Sequence, residues 1–177
     1  MSNSDSVQSF IDKAAINKKI TKWLPRLEDS SSGVREEAAN ILAEIAVSEP
    51  SLRDTLLPLL LKRCRQEDSW PVICNSILFN IAPIPKKSPE WIEPFISTYV
   101  ELARMQDQDV FFGAYVVREH ALGYIWELIK ARKIKREHPR IKDILEIVSE
   151  GLSRTEDEPS GDERLYMMRI QDWHEDE

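Results

Sequence analysis

Histidine serves both as a metal ligand and as a general base, and the chain contains three of them. His120, His138 and His174 are scattered, and none has a second ligand at the spacing of a metal-binding motif. Glu119 directly precedes His120, but adjacent side chains on a helix point in different directions, so the two do not form a base and its orienting acid. The sequence has neither a glycine-rich phosphate loop nor a nucleophile elbow. We therefore expect a protein that is not an enzyme, with no metal site and no cofactor.

The two cysteines, Cys64 and Cys74, are ten residues apart and form no Cys-x-x-Cys motif. They fall in different predicted helices, which indicates small buried side chains in a reducing compartment. The first ten residues lack the charged start and apolar core of a signal peptide. The longest apolar stretch, around residues 56–61, is far too short to span a bilayer. We expect a cytoplasmic protein that makes no membrane contact.

The net charge of −7 is concentrated at one end of the chain. Residues 155–177 carry all of it, and residues 1–154 sum to zero. This difference predicts a helical body over 1–154 and an acidic tail over 155–177. Within the tail, Tyr166, Ile170 and Trp173 have helical spacing and suggest a short helix at 164–173. Such a helix would either cap the end of the body or dock as a peptide on a partner or on the basic run described next.

A basic run occupies residues 130–142. Its cationic members are Lys130, Arg132, Lys133, Lys135, Arg136, Arg140 and Lys142. One interpretation is a contact with phosphate groups or with an acidic protein. The other is a solvated helix end whose positive charges complement the helix dipole. The neutral body and the absence of interleaved aromatic residues favour the second interpretation.

Helical periodicity dominates from Val7 to Leu152, and β-branched alternation is scarce, so the fold is predicted to be all-α. Asn17 is expected to separate two N-terminal helices, and Asp109 to cap a helix running to about Lys133. Pro25, Pro58 and Pro94 lie within apolar runs that otherwise read as helix, at spacings of 33 and 36 residues. A proline at a fixed place in a repeat of this length predicts a bend in each of several stacked units.

The segments that follow these prolines can be aligned with each other. NILAEIA at 40–46 matches SILFNIA at 76–82, and VREEA at 34–38 matches VREHA at 117–121. The first unit resembles a HEAT repeat on a set of positions with characteristic residue types: Pro25, Asp29, Val34, Arg35, Ala38, Ala39 and Leu42. The resemblance covers about residues 16–152. The second unit has Pro71 where arginine is usual, and in the third Val117-Arg118 comes later than the pattern expects.

The resemblance implies a short right-handed α-solenoid of about three and a half helix pairs, HEAT-like or armadillo-like. HEAT repeats generally form scaffolds that bind other proteins, and some families bind nucleic acid or modify cofactors. Aspartate and arginine at the positions of Asp29 and Arg35 form a ladder between repeats elsewhere in the family. Asp29 fits an N-cap or turn role equally well.

We therefore expect a non-catalytic scaffold or adaptor that binds another protein on the concave face made by the second helices. The candidate contacts are Arg35, Asn75, Arg118, His120, Trp126, Glu156, Asp157 and Glu158. One specific form of this hypothesis is an inhibitor or immunity-type protein whose acidic end masks a basic partner. The alternative is a nucleic-acid-binding protein that uses the basic run, with the acidic tail as a competitor.

Overall fold

The computed structural model describes residues 3–106, 109, 113–154 and 161–175, and for residues 3–12 it describes the backbone alone. Across these ranges the chain is helical and contains no strand, so the all-α prediction is confirmed. None of the helices in these ranges combines the length and apolar character needed to cross a bilayer.

Nine α-helices follow one another in the described ranges. They are α1 (Asn3–Trp23), α2 (Ser32–Ser48), α3 (Arg53–Gln66), α4 (Phe79–Ile81), α5 (Ile84–Lys87), α6 (Ile92–Ala103), α7 (Ala114–Lys130), α8 (Ile141–Leu152) and α9 (Gly161–Glu175). A seven-residue π-helix, Val72–Leu78, runs directly into α4 and is called the π segment below. Short 3₁₀ helices at Leu24–Glu28, Pro50–Leu52 and Pro89–Trp91 precede α2, α3 and α6.

The helices pack in chain order. The 3₁₀ helix Leu24–Glu28 contacts α2, α3 contacts the π segment, α6 contacts α7, and α8 contacts α9. The first members of consecutive pairs also contact each other: α3 contacts α6, and α6 contacts α8. The second members do the same: α2 contacts the π segment, the π segment contacts α7, and α7 contacts α9. Apolar side chains from all four pairs form one continuous core.

The three prolines occupy different places in their helices. Pro25 is the second residue of the 3₁₀ helix that follows α1, and Pro94 lies in the first turn of α6. An amide hydrogen has no intrahelical acceptor at either place, so proline removes no helix hydrogen bond there. Of the three, only Pro58 lies in an α-helix beyond its first turn, in α3. A helix-interior proline of the kind that bends a helix is therefore present in the second predicted unit alone.

Two predicted helix boundaries are wrong. Helix α1 passes through Asn17 without a break, because asparagine lowers helix propensity without preventing a helix. Helix α7 begins at Ala114 after Gly113, and no side chain caps it. The carboxylate of Asp109 instead accepts a hydrogen bond from the Gln106 amide at 2.8 Å. The C-terminal end of α7 is a turn in which Arg132 adopts a φ of 56°.

Candidate functional site

A buried ion-pair network joins the first helix pair to the second. Arg35, in the first turns of α2, is 7% exposed and binds both oxygens of Glu67, through Nε at 2.9 Å and Nη2 at 2.7 Å. Its Nη2 also reaches Asp68 at 2.8 Å. Arg63 donates from Nε to Glu67 at 2.9 Å and from Nη1 to Glu28 at 3.0 Å. Because bidentate charge-assisted bonds fix geometry, this network sets how the two pairs meet.

Arg35 also closes the turn before its own helix. Its Nη1 donates to the carbonyl oxygens of Asp29 and Ser30, at 2.9 and 3.1 Å. The Asp29 side chain accepts a hydrogen bond from the Ser31 amide at 2.9 Å. Asp29 therefore acts as a turn residue, which was one of its two expected roles.

Arg118 occupies the matching position on α7. It is 6% exposed, and its Nε donates to Glu163 Oε1 at 2.9 Å. Its Nη1 donates to the carbonyl oxygen of Met105, at the end of the preceding helix, at 3.1 Å. Like Arg35, it therefore binds a fully buried glutamate in a following segment of the chain and a main-chain oxygen of its own unit. Both arginines connect helix pairs, and neither presents its guanidinium group on the surface.

His120 lies in a shallow pocket on α7 that it shares with Glu119, Gly123, Tyr124, Glu127 and Tyr166. Its Nδ1 is 2.9 Å from the carbonyl oxygen of Val116, so Nδ1 carries the hydrogen and donates it. Tyr166 comes from α9 and covers Gly123, where a Cβ atom would be 3.2 Å from the tyrosine ring. Trp126 lies on the same helix, half buried against the core.

Three cationic members of the basic run, Lys130, Arg136 and Arg140, bind other residues of the fold. Lys130 pairs with Glu127. Arg136 donates to the carbonyl oxygen of Trp173 at 2.7 Å and lies 5.9 Å from the centre of that ring. Arg140 contacts Glu93, Ser97 and Asp143 at 3.1–3.2 Å. The exposed cationic side chains of the run are Lys130, Arg132, Lys135 and Lys142, and Lys133 is half-buried.

The tail divides into two parts. Glu156, Asp157 and Glu158, the predicted acidic contacts, lie outside the described residues. Helix α9 extends on both sides of the helix suggested at 164–173, and it packs against α7 and α8. Gly151 of α8 leaves the space filled by Met167, since a Cβ there would be 2.3 Å from the methionine methyl carbon. Ile170 is fully buried, so the chain itself covers the apolar face of α9.

The surface formed by α2, the π segment and α4 contains an aromatic residue that the sequence patterns do not single out. We call it the α2–α4 surface and define it by Glu37, Asn40, Glu44, Asn75, Phe79 and Asn80. Among the described residues, Phe79 has the largest exposed fraction of any large apolar side chain, 72%. Asn80 donates from Nδ2 to Asn40 Oδ1 at 3.1 Å, which joins the two helices at this surface. The predicted contact Asn75 is exposed on the π segment.

Phe79 is missed because the repeat alignment places it opposite Ala43, which is fully buried. The intervening residues are wound as a π-helix, so they rotate the chain less per residue than an α-helix does. The aligned positions consequently face different directions. A π segment leaves no recognised signature in the pattern of apolar residues, so sequence periodicity alone does not reveal the exposed ring.

Groups that could act as nucleophiles or ligands are few within the described ranges. The prediction that both cysteines are buried is confirmed, and both are free thiols. Burial raises the pKa of Cys74 to about 12 and that of Cys64 further above its ordinary range, so both stay protonated. No cluster of three His, Cys, Asp or Glu side chains suited to a metal ion occurs in the part of the chain that is described.

Comparisons with models of known families, with curated proteins and with solved structures give no match for this chain.

Proposed function

We propose that the chain is a short right-handed HEAT-like α-solenoid that binds another protein through its second helices and has no chemistry of its own. The order of helix contacts supports the solenoid arrangement, since the second helices α2, π segment, α7 and α9 touch one after another. The ion pairs of Arg35 with Glu67 and Asp68, and of Arg118 with Glu163, support the ladder between repeats.

The observation that carries the binding function is the exposure of Phe79. An aromatic ring that is 72% exposed costs hydrophobic free energy that burial in a complex would recover. Aromatic residues are also enriched among the few side chains that dominate binding energy at protein interfaces. The second helices therefore offer a binding surface with a defined anchor at Phe79.

A pull-down from the native lysate tests this function with three baits: the wild-type chain, Phe79→Ser and Leu59→Ser. Leu59 is the matched control, because it is an exposed apolar residue (38%) on the first-helix side, in α3. We expect a protein that the wild type and Leu59→Ser recover and that Phe79→Ser loses. Equal recovery by all three baits would contradict the proposed surface.

The same experiment addresses the nucleic-acid alternative. DNA or RNA in the eluate that is lost when Lys135 and Lys142 are changed to glutamate would favour binding through the basic run. Recovery of nucleic acid would also decline steeply as the salt concentration of the wash rises.

A further inference from the structure

We infer that the α2–α4 surface binds a cationic segment of a partner protein, in which lysine or arginine residues surround an apolar anchor. This inference rests on the proposed function and adds the chemical class of the partner.

The surface carries exposed carboxylates on the helix that contacts the element bearing the exposed ring. Glu37 and Glu44 lie three residues before and four residues after Asn40, so the three side chains share one face of α2. Both glutamates are exposed. The Asn80–Asn40 hydrogen bond, 3.1 Å long, ties this face to the neighbouring helix, where Phe79 immediately precedes Asn80.

The helices of the surface contribute no exposed positive charge of their own, although Arg53 of α3 donates to the carbonyl oxygens of Ala46 and Val47 at the C-terminal end of α2. Helix α2 contains no lysine, and its one arginine, Arg35, is buried in the network with Glu67. The π segment and α4 contain no charged residue. Exposed carboxylates attract cationic groups, and they repel the phosphates of nucleic acid.

The aromatic ring adds a second requirement. A purely ionic partner would leave Phe79 exposed, so the occupant also needs an apolar side chain, or a cation placed over the ring face. A lysine- or arginine-rich peptide segment that carries aliphatic residues meets both requirements. A second copy of this chain, docked through its own basic run, would be a different occupant, and the experiment below separates the two.

The test uses a fluorescein-labelled peptide of lysine and leucine, about 14 residues long and patterned as an amphipathic helix, together with a counterpart in which glutamate replaces lysine. Binding to the full chain is followed by fluorescence anisotropy across a salt series. We expect the lysine peptide to bind, its affinity to fall as salt rises, and the glutamate peptide not to bind.

Two variants assign the binding to this surface. Glu37→Gln with Glu44→Gln should weaken the lysine peptide about five- to tenfold and flatten its salt dependence. The matched control is Glu90→Gln with Glu150→Gln, which removes the same charge from exposed positions elsewhere and should change the affinity less than about twofold. Phe79→Ala should weaken binding about tenfold or more.

Equal weakening by the two glutamine pairs would overturn the inference, and so would binding of the glutamate peptide. A dimer in light scattering that Phe79→Ala dissociates would also overturn it, by making a second copy the occupant. If the lysine peptide fails while Phe79→Ser still loses the lysate protein, the partner class is wrong and the proposed function stands. If Phe79→Ser retains the lysate protein, the proposed function itself fails.

Discussion

Glu67 accepts the hydrogen bonds that join the first two helix pairs. Its carboxylate is fully buried, and Arg35 and Arg63 both donate to it. A buried ion pair is weak evidence for stability in itself, but the removal of one partner leaves the other charged and desolvated. Asp68 accepts from the same arginine, yet its side chain is 77% exposed. The two neighbours therefore separate the effect of burial from the effect of charge.

Glu67→Gln should lower the free energy of unfolding by about 3 kcal/mol, since it leaves two guanidinium groups without their shared carboxylate. Asp68→Asn should cost less than about 1 kcal/mol, because water solvates the exposed carboxylate and screens its charge. Urea denaturation at neutral pH measures both. Similar losses for the two variants would show that the network does not depend on burial.

The carboxylate of Glu67 should also make the free energy of unfolding depend on pH. Burial acts to raise the pKa of Glu67, but the hydrogen bond from Arg35 and the charge of Arg63 outweigh it and lower the pKa from 4.5 to about 2. A lowered pKa stabilises the fold above pH 4.5, and the stabilisation is lost as the pH falls towards 2. The wild type should lose roughly 3 kcal/mol over this interval through Glu67. Unfolding curves of Glu67→Gln should show a correspondingly flatter profile, whereas Asp68→Asn should follow the wild type.

Arg132 gives a third prediction at this scale. Its φ of 56° lies in the left-handed region, and the amides of Arg132 and Lys133 donate to Ile129 and Leu128 at the end of α7, which is the hydrogen-bond pattern of a Schellman turn. Glycine adopts this conformation without the steric cost that a Cβ atom imposes. Arg132→Gly should therefore be more stable than Arg132→Ala by about 1 kcal/mol in thermal or urea unfolding. Equal stability of these two variants, which both lack the arginine side chain, would contradict the turn geometry.

At the scale of elements, the glycines show where helices approach closely. Gly113 precedes α7, and a Cβ atom there would lie 2.3–2.8 Å from three atoms of Trp70, including the tryptophan Cβ. Gly33 lies in α2, and its Cβ would meet nothing closer than Ser31 Oγ at 3.9 Å. The first glycine is required by packing, whereas the second only lowers helix propensity.

Gly113→Ala should destabilise the protein by about 1–3 kcal/mol, because Trp70 and its backbone have to move. Gly33→Ala should stabilise it by up to about 1 kcal/mol, since alanine has the higher helix propensity and the space is free. Thermal unfolding monitored by circular dichroism compares the two. A stabilising effect at both positions would mean that α7 and the residues around Trp70 are not in close contact.

The elements also show which features the sequence patterns predict and which they do not. The shared VREEA and VREHA segments mark Arg35 and Arg118 as equivalent, and both do occupy the start of a second helix. The patterns do not identify their partners, Glu67 and Glu163, because these pairs join residues 32 and 45 positions apart, and only the packed helices bring them together. Apolar periodicity likewise gives the helices but not the π segment, since its interior residues are as apolar as those of a buried α-helix.

At the scale of the whole molecule, α9 is part of the core. Ile170 is fully buried, whereas Met168 on the same helix is 48% exposed. Helix α9 contacts both α7 and α8, and Arg136 binds the carbonyl oxygen of Trp173 near its end. These contacts predict that α9 unfolds together with the rest of the chain.

Ile170→Ala should lower the free energy of unfolding by about 2–4 kcal/mol, and Met168→Ala by less than about 1 kcal/mol. In both variants, the unfolding transition followed by circular dichroism should coincide with the transition followed by tryptophan fluorescence. A separate early transition in Ile170→Ala would instead show that α9 unfolds independently of α1–α8.

The winding of the π segment determines how the residues after it are oriented in the second helix pair. Seven residues wound as a π-helix accumulate roughly a third of a turn less rotation than the same residues in an α-helix. This difference sets the direction in which Phe79 leaves the helix. If the same seven residues were wound as an α-helix, the ring would turn by about a third of a turn away from its present direction. Deletion of one residue between Val72 and Leu78 would favour α-helical winding yet leave the ring facing nearly the same way, because six α-helical residues rotate the chain about as much as seven π-helical ones. The match between the length and the winding of this segment thus controls whether the chain displays an aromatic anchor.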